Sequence, residues 1–131
     1  MCGVTGVISK QEQSIKNIVL KSIELIQNRG YDSYGIAYLY NNTNNYNILK
    51  YVANNNNTLN YIKNDIIETS EKHVVTAFAH TRWATHGPKT INNCHPHVSY
   101  NKKITLVHNG IINNYNKLKN LLISKNYKFY S

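Results

Sequence analysis

A reactive pair of groups is predicted at the start of the chain, which begins Met1-Cys2-Gly3. An initiator Met before a small residue is normally removed, which places the Cys2 thiol and a free α-amine on one carbon. A free thiol has a pKa near ~8.5 and an α-amine a pKa near ~7.7–8.0, so both groups work close to neutral pH. Such a pair can act as nucleophile and base, as in hydrolases with an N-terminal Thr. The alternative is a residue of no consequence at a frayed terminus, and the pair alone does not exclude it.

Three further segments place unusual polar residues where predicted strands or helices meet loops. Rigid elements position side chains at such places and loops expose them, so binding residues concentrate there. The segments are Arg29-Gly30-Tyr31-Asp32-Ser33, residues 80–87 (His-Thr-Arg-Trp-Ala-Thr-His-Gly) and His108-Asn109-Gly110. Each is therefore a candidate part of one site.

The segment at residues 80–87 suits the recognition of a small ligand that carries a carboxylate. Arg82 offers a planar fork of N–H donors that matches a carboxylate, and the neighbouring Trp83 offers a large cover. Thr85 and His86 add hydrogen-bonding groups beside them. We therefore expect these four residues to bind substrate.

Asn109 and Gly110 supply a side-chain amide and an unencumbered backbone N–H, which are the usual components of an oxyanion site. Each segment also has a simpler interpretation when taken alone. Asn-Gly is above all a turn signal. Arg82-Trp83 also fits a stacking pair at the surface, and Asp32 fits a cap or a turn. Only the occurrence of all these segments in one chain favours a shared functional site over the simpler interpretations.

A metal site is the main chemical alternative. Cys94, His95 and His97 lie close together in the sequence. A structural zinc site normally shows paired ligands at short spacing, and here there is one irregular group. We therefore predict no metal and no cofactor, although four more side chains could complete a ligand set: Cys2, His80, His86 and His108.

Composition predicts one soluble domain. The chain has 131 residues, enough for one core. No apolar run approaches the ~18 residues of a membrane span, and the N-terminus lacks the pattern of a signal peptide. We therefore expect a cytoplasmic protein with no membrane partner and with reduced cysteines. The net charge of +9 comes mostly from scattered lysines, with only two arginines, Arg29 and Arg82, so we also expect no nucleic-acid partner.

Elements alternate along the chain in a way that predicts an α+β fold with helices outside a mixed sheet. The polar turn at residues 41–45 indicates a hairpin, and residues 54–57 form a low-complexity loop. Apolar spacing predicts helices over residues 14–28, capped by Ser14, over residues 58–71, and after a cap at Asn113. Strands are predicted over residues 4–8, 35–40, 46–52, 74–79 and 104–107, with a further strand opening at residues 127–130.

The order of these motifs identifies a family. The chain resembles the N-terminal glutaminase domain of the glutamine–fructose-6-phosphate aminotransferases, and the resemblance runs from Cys2 to the last residue. The glutaminases of phosphoribosyl-pyrophosphate amidotransferase and of asparagine synthetase share the N-terminal Cys, but they differ in the Arg-Gly and Arg-Trp blocks. The matching segments are Met1-Cys2-Gly3-Val4-x-Gly6, Arg29 to Gly35, His80 to Gly87, His95-Pro96-His97-Val98-Ser99 and His108-Asn109-Gly110-Ile111-Ile112.

The resemblance implies an N-terminal-nucleophile (Ntn) hydrolase fold, a four-layer α-β-β-α sandwich, and a set of roles. Cys2 would attack the side-chain amide of L-glutamine with its own α-amine as base, and Asn109 and Gly110 would hold the oxyanion. Arg82 would bind the substrate α-carboxylate, with Thr85 and His86 lining the site and Trp83 on a loop that closes over it. Five residues would support the pocket from behind: Arg29, Tyr31, Asp32, His80 and His95.

The resemblance also implies what residues 1–131 represent. They would be the N-terminal part of a class II glutamine amidotransferase domain, with an incomplete sandwich and low activity alone, because an Asp that binds the glutamine α-amine follows later in the family. The partner would be a sugar-isomerase domain that binds fructose 6-phosphate and forms glucosamine 6-phosphate in a homo-oligomeric enzyme. The alternatives are one of the two related glutaminases, or a non-catalytic zinc-binding or RNA-binding module.

Overall fold

The computed structural model describes residues 2–10, 15–41, 43–53, 58–67 and 74–130. Six strands and three helices follow one another in these segments. The strands are β1 (Gly3–Ile8), β2 (Ser33–Tyr40), β3 (Asn47–Val52), β4 (Val74–Arg82), β5 (His97–Val98) and β6 (Thr105–Leu106). The helices are α1 (Ile15–Ile26), α2 (Thr58–Ile67) and α3 (Tyr115–Ser124), with short 3₁₀ turns at Gln27–Arg29 and Ile91–Asn93.

Four strands form an antiparallel sheet in the order β1-β4-β2-β3. Successive side chains of a strand point to opposite faces, and the pairing register aligns one apolar set across the sheet. Ile36 of β2 lies opposite Ala79 of β4, and Tyr38 lies opposite Ala77. All four are buried, so bulky residues of β2 pack beside small residues of β4 on the same face.

Helix α1 covers this face because its apolar residues recur every four positions. Ile15, Val19 and Ile23 form one stripe and are at most 1% exposed. The stripe packs into a single core with the aromatic residues of β2 and with Ile62 of α2. Burying one such aliphatic side chain contributes roughly 1.5–3 kcal/mol. The core therefore lies between one face of the sheet and two helices.

The antiparallel register brings the polar segments to one edge of the sheet. The first residue of β1, Gly3, pairs with Thr81, and the first residue of β2, Ser33, pairs with Arg82. Gly30 is required at this edge, because a Cβ there would lie 2.6 Å from the carbonyl carbon of Arg82. The residues before β1 and β2 therefore meet the loop that leaves β4.

The predicted α+β class is confirmed, and most predicted elements are present. The prediction of a mixed sheet is wrong for the described segments, because all their strand pairs are antiparallel. Strand β4 continues to Arg82 beyond its predicted end at residue 79, because its polar end pairs with both neighbours. The strand predicted over residues 104–107 is shorter, and it pairs with β5, which was not predicted. The predicted Ser14 cap, the loop at residues 54–57 and the last four residues of the second predicted helix lie outside the described segments.

Two predictions near the C-terminal end are wrong. Asn113 does not cap α3, which begins at Tyr115 with Asn114 in the cap position and no side-chain cap hydrogen bond. Residues 127–130 form no strand, since they pair with no strand in the described segments, and the Phe129 ring lies 5.3 Å from the Nζ of Lys119 instead. Across those segments, we find no helix with the length and hydrophobicity to span a membrane.

Candidate active site

Cys2 is held in place by backbone contacts to its sulfur and to the residue after it. The backbone N–H of Trp83 donates to Cys2 Sγ at 3.3 Å, and the Trp83 carbonyl oxygen lies 3.6 Å from the same sulfur. The backbone N–H of Gly3 donates to Thr81 Oγ1 at 3.1 Å, which fixes the chain directly after Cys2. The sulfur therefore has a fixed place and a backbone donor beside it.

Asn109 lies next to Cys2, although it is 107 residues away in the sequence. Its side-chain Nδ2 donates to the Cys2 carbonyl oxygen at 3.1 Å. Its Oδ1 lies 2.7 Å from Nε2 of His80, which is 1% exposed on β4. Gly110 follows with φ +150°, a conformation that L side chains rarely adopt. An amide donor is thus brought to Cys2, and Gly110 lines the same cleft.

Arg82 organises the loop at residues 83–89 from within. The residue is 7% exposed, and its guanidinium donates through Nη1 to the Pro88 carbonyl at 3.1 Å. Nη2 donates to the carbonyl oxygens of His86 and Gly87. Gly87 has φ +72°, which a residue without a Cβ adopts at no steric cost. The loop therefore folds back around the arginine side chain.

Asp32 holds the same loop from outside. Its Oδ2 accepts the backbone N–H of Ala84 at 2.8 Å, and its Oδ1 forms an ion pair with Lys89. Burial alone would raise the pKa of Asp32, but the Lys89 and Ala84 hydrogen bonds and the charges of Lys89 and Arg82 outweigh it. The pKa is lowered from its ordinary value of 3.8. Asp32 is therefore an ionised tether for both ends of the loop.

The loop carries three of the predicted binding residues on its exposed side. The Trp83 ring packs against Tyr31 with 5.6 Å between ring centroids, and both side chains remain about half exposed. Thr85 Oγ1 lies 3.1 Å from His86 Nδ1. These side chains form one wall of the opening above Cys2.

The opening is a cleft of about 420 Å³, within the range of small-molecule sites. Eight predicted site residues line it: Cys2, Arg82, Trp83, Thr85, His86, His95, Asn109 and Gly110. Four do not: Asp32 and Tyr31 contact the loop, His80 lies behind Asn109, and Arg29 is exposed on the turn after α1. Two other described clefts, of about 540 and 620 Å³, contain neither cysteine nor histidine.

Four lining residues were not among the predicted site residues: Asn93, His97, His108 and Ile111. His97 and His108 carried a usable signal, because each adjoins or nearly adjoins a predicted residue. Asn93 carried none, since it reaches the cleft through the 3₁₀ turn and donates to the Pro88 carbonyl at 2.9 Å. Lys89 was also missed, and only the folded loop brings it to Asp32.

Three histidine rings contact one another in a row, with His95 and His97 lining the cleft and His80 behind them. The ring centroids of His80 and His95 are 4.3 Å apart, and those of His95 and His97 are 4.4 Å apart. Burial lowers the pKa of all three, and with the charges of its neighbours it lowers the pKa of His95 to about 3. All three are therefore neutral at pH 7. Within the described segments, no three His, Cys, Asp or Glu side chains form a group that could hold a metal ion.

A half-buried cysteine at position 2 with an adjacent amide donor, at the edge of an α+β sheet, is the kind of site that can hydrolyse amides through a thioester. Over residues 1–126 the chain matches the family of class-II glutamine amidotransferases, and it belongs to that family.

The similar proteins are named as one enzyme. A probable glutamine–fructose-6-phosphate aminotransferase (isomerizing) of Acanthamoeba polyphaga mimivirus is 42% identical over 99% of this chain and 21% of its own length. The enzyme of Wigglesworthia glossinidia brevipalpis is 44% identical, and that of Methanococcus maripaludis is 40% identical, each over 100% of this chain and 20% of the relative. The chain thus spans about one fifth of the curated relatives it matches.

Proposed function

We propose that this chain is the N-terminal glutaminase part of a glutamine–fructose-6-phosphate aminotransferase, with Cys2 as the nucleophile that attacks the side-chain amide of L-glutamine. The observation that carries this proposal is the convergence on Cys2 of two donors from distant segments, the Trp83 N–H and the Asn109 amide. The relatives' names supply the reaction.

The first half-reaction forms a thioester. With Met1 removed, the α-amine of Cys2 takes the thiol proton, and the thiolate adds to the carboxamide carbon of glutamine. Asn109 Nδ2 and the Gly110 N–H stabilise the oxyanion that forms. The C–N bond then breaks, and the nitrogen leaves as ammonia after it takes a proton from the α-ammonium group.

The second half-reaction regenerates the enzyme. The α-amine takes a proton from water, and the resulting hydroxide adds to the thioester carbon. The C–S bond breaks, glutamate is released, and the sulfur recovers its proton from the α-ammonium group. The same amine therefore serves as base and acid in both halves, and no cofactor is required.

Arg82 is assigned to the α-carboxylate of glutamine. Three hydrogen bonds join its guanidinium to loop carbonyls, and a guanidinium has five N–H groups. Two N–H groups and the full positive charge therefore remain for a carboxylate in the cleft. Thr85 and His86 line the same wall, and the Trp83 ring is assigned as its cover.

The assigned fold is the N-terminal part of a four-layer α-β-β-α sandwich. It is supported by a sheet whose described helices α1 and α2 pack on one face only, while Val4 and Ile8 of β1 point away from them and are 45% and 80% exposed. We assign the second sheet to that open face. In the whole protein, a sugar-isomerase domain would combine the ammonia with fructose 6-phosphate to form glucosamine 6-phosphate, in a cytoplasmic homo-oligomer.

Covalent labelling tests the nucleophile. We expect an electrophilic diazoketone analogue of glutamine to add once per chain, at Cys2, as measured by intact mass and peptide mapping. Cys2→Ala should abolish the label, and Cys94→Ala should retain it, because Cys94 is fully buried and contacts the Thr90 carbonyl. Excess L-glutamine should protect Cys2.

Two outcomes would refute the assignment: a label on Cys94 with Cys2 untouched, or labelling of a chain that retains Met1. In a protein that joins this chain to its sugar-isomerase domain, Cys2→Ala should also abolish formation of glucosamine 6-phosphate from glutamine while sparing formation from added ammonia. Loss of both would place the defect outside the glutaminase reaction.

A further inference from the structure

The side chain of Asn109 is bound at both ends. Its nitrogen end faces the Cys2 carbonyl oxygen at 3.1 Å, and its oxygen end faces His80 Nε2 at 2.7 Å. A carbonyl oxygen only accepts hydrogen bonds, so the end that faces Cys2 is the NH₂ group. The end that faces His80 is therefore Oδ1.

This orientation also fixes the protonation of His80. Oδ1 of a carboxamide has no proton to donate, so Nε2 of His80 carries the proton of this hydrogen bond. Burial lowers the pKa of His80, so the ring is neutral and holds a single proton. His80 is thus the tautomer with Nε2–H and a bare Nδ1.

The ring of His80 is itself immobilised. It projects from the central strand β4, it is 1% exposed, and the His95 ring stacks on it at 4.3 Å. His80 pairs in register with Gly35 of β2, and the His95 carbonyl fits over that glycine. A Cβ at Gly35 would lie 1.8 Å from the His95 carbonyl oxygen. The sheet therefore holds His95, and His95 holds His80.

We propose that His80 is a positioning residue for the glutaminase reaction, because its Nε2–H fixes the carboxamide of Asn109 with the NH₂ group toward Cys2. The inference rests on the proposed function, in which Asn109 holds the oxyanion. Without this anchor the carboxamide can turn by 180° and present its own oxygen to the oxyanion. His80 does not line the cleft, so it acts through Asn109 and not on the substrate.

A matched pair of variants tests this role. The amide nitrogen of Gln reaches the position of His Nε2, whereas the shorter Asn reaches only the position of Nδ1. His80→Gln should therefore keep a donor on Asn109, and His80→Asn should lose it. Since removing one oxyanion donor costs about 10²–10³ in kcat, a donor that is misoriented for part of the time should cost about 10- to 100-fold.

We expect His80→Asn to show that loss in kcat for glutamine hydrolysis with an almost unchanged KM, and His80→Gln to recover most of it. Alkylation of Cys2 by iodoacetamide is a displacement that develops no oxyanion, so its rate should be the same in all three proteins. Equal kcat values for the two variants, or a parallel loss in alkylation, would overturn the role of His80.

A second measurement does not depend on activity. In ¹⁵N spectra of the wild-type chain, His80 should be the neutral Nε2–H tautomer, and Asn109→Ala should shift that N–H resonance. A proton on Nδ1 would refute the inference even in an active enzyme. A wild-type enzyme that releases no glutamate would instead refute the proposed function.

Discussion

The thiol of Cys2 contacts backbone 81 residues further along the chain, at Trp83, and its carbonyl accepts a donor from 107 residues away. Three separate segments therefore meet at Cys2. The chemistry assigned to Cys2 depends on all of them, because nucleophile, backbone donor and amide donor must meet within a few ångströms.

Gly110 provides a test at the oxyanion position. With φ +150° and a Cβ that would lie 2.9 Å from His108 Nε2, Gly110→Ala must either strain the backbone by about 1–3 kcal/mol or move the N–H. We expect kcat for glutamine hydrolysis to fall at least about tenfold, in line with loss of an oxyanion donor.

Gly6→Ala is the control for that change. Gly6 lies on β1 away from the cleft, its added Cβ would meet Phe78 Cβ at 3.3 Å, and its φ is not in the left-handed region. Steady-state kinetics should show a lower kcat for Gly110→Ala than for Gly6→Ala. If Gly110→Ala hydrolyses glutamine as fast as Gly6→Ala does, the Gly110 N–H has no part in the reaction.

The loop at residues 83–89 depends on one buried carboxylate. Asp32 binds both Ala84 and Lys89, and its folded-state pKa is below the 3.8 of an unperturbed Asp. A depressed pKa means that its stabilisation is complete above that ordinary value and is lost as the pH falls through the lower, folded-state value. The loop should therefore loosen in acid.

Trp83 is the only Trp of the chain, so its fluorescence reports the state of this loop. We expect Asp32→Asn to increase quenching of Trp83 by acrylamide at pH 7 and to lower the free energy of unfolding by about 1.5–3 kcal/mol, as for hydrogen bonds to charged groups. Wild-type quenching should rise toward the same level only below about pH 3.8.

Lys89→Ala should lower the free energy of unfolding less than Asp32→Asn does, because Lys89 is exposed and surface ion pairs contribute about 0–1 kcal/mol. Equal quenching in Asp32→Asn and wild type at pH 7 would show that the Ala84 contact does not hold the loop.

Helix α1 stabilises the sheet through three side chains in one stripe. Ile23 is completely buried, so Ile23→Ala should lower the free energy of unfolding by about 2–5 kcal/mol through lost burial and the cavity left behind. Leu25 lies on the same helix but is 73% exposed, so Leu25→Ala should change the free energy of unfolding by less than about 0.5 kcal/mol. Urea denaturation measures both, and similar losses would contradict the assigned face of α1.

The elements that sequence alone predicted are those with a repeating apolar pattern. The stripe at Ile15, Val19 and Ile23 marks α1 without any knowledge of the fold. Strand β5 has two residues and no period to detect, so it was not predicted, and the strand predicted over residues 104–107 is found as the two-residue β6 that pairs with it. The polar end of β4 could not be predicted as strand from its own residues, because His80 and Thr81 are buried only by the neighbouring strands.

The candidate site was also predictable only in part. The order of the motifs, through the family resemblance, predicted that Cys2, Arg82 and Asn109 share one cleft, and these residues do line one cleft. The tether between Asp32 and Lys89 spans 57 positions and has no sequence pattern. The tautomer of His80 also needed coordinates, because it follows from the direction in which the Asn109 amide points.

The described molecule is asymmetric about its main sheet. One face is covered by α1 and α2, while the other is covered by His95 at Gly35 but leaves Val4 and Ile8 of β1 exposed, and α3 has no buried residue. The net charge of +9 opposes self-association of such a surface through repulsion between copies.

The Trp83 peptide unit serves two purposes at once. Its side chain lines the cleft, and its N–H donates a hydrogen bond to the sulfur of Cys2. Backbone rotation that lifts the indole away therefore also withdraws the donor from the nucleophile. One change of backbone conformation at Trp83 would therefore alter both the wall of the cleft and the hydrogen bond to the sulfur.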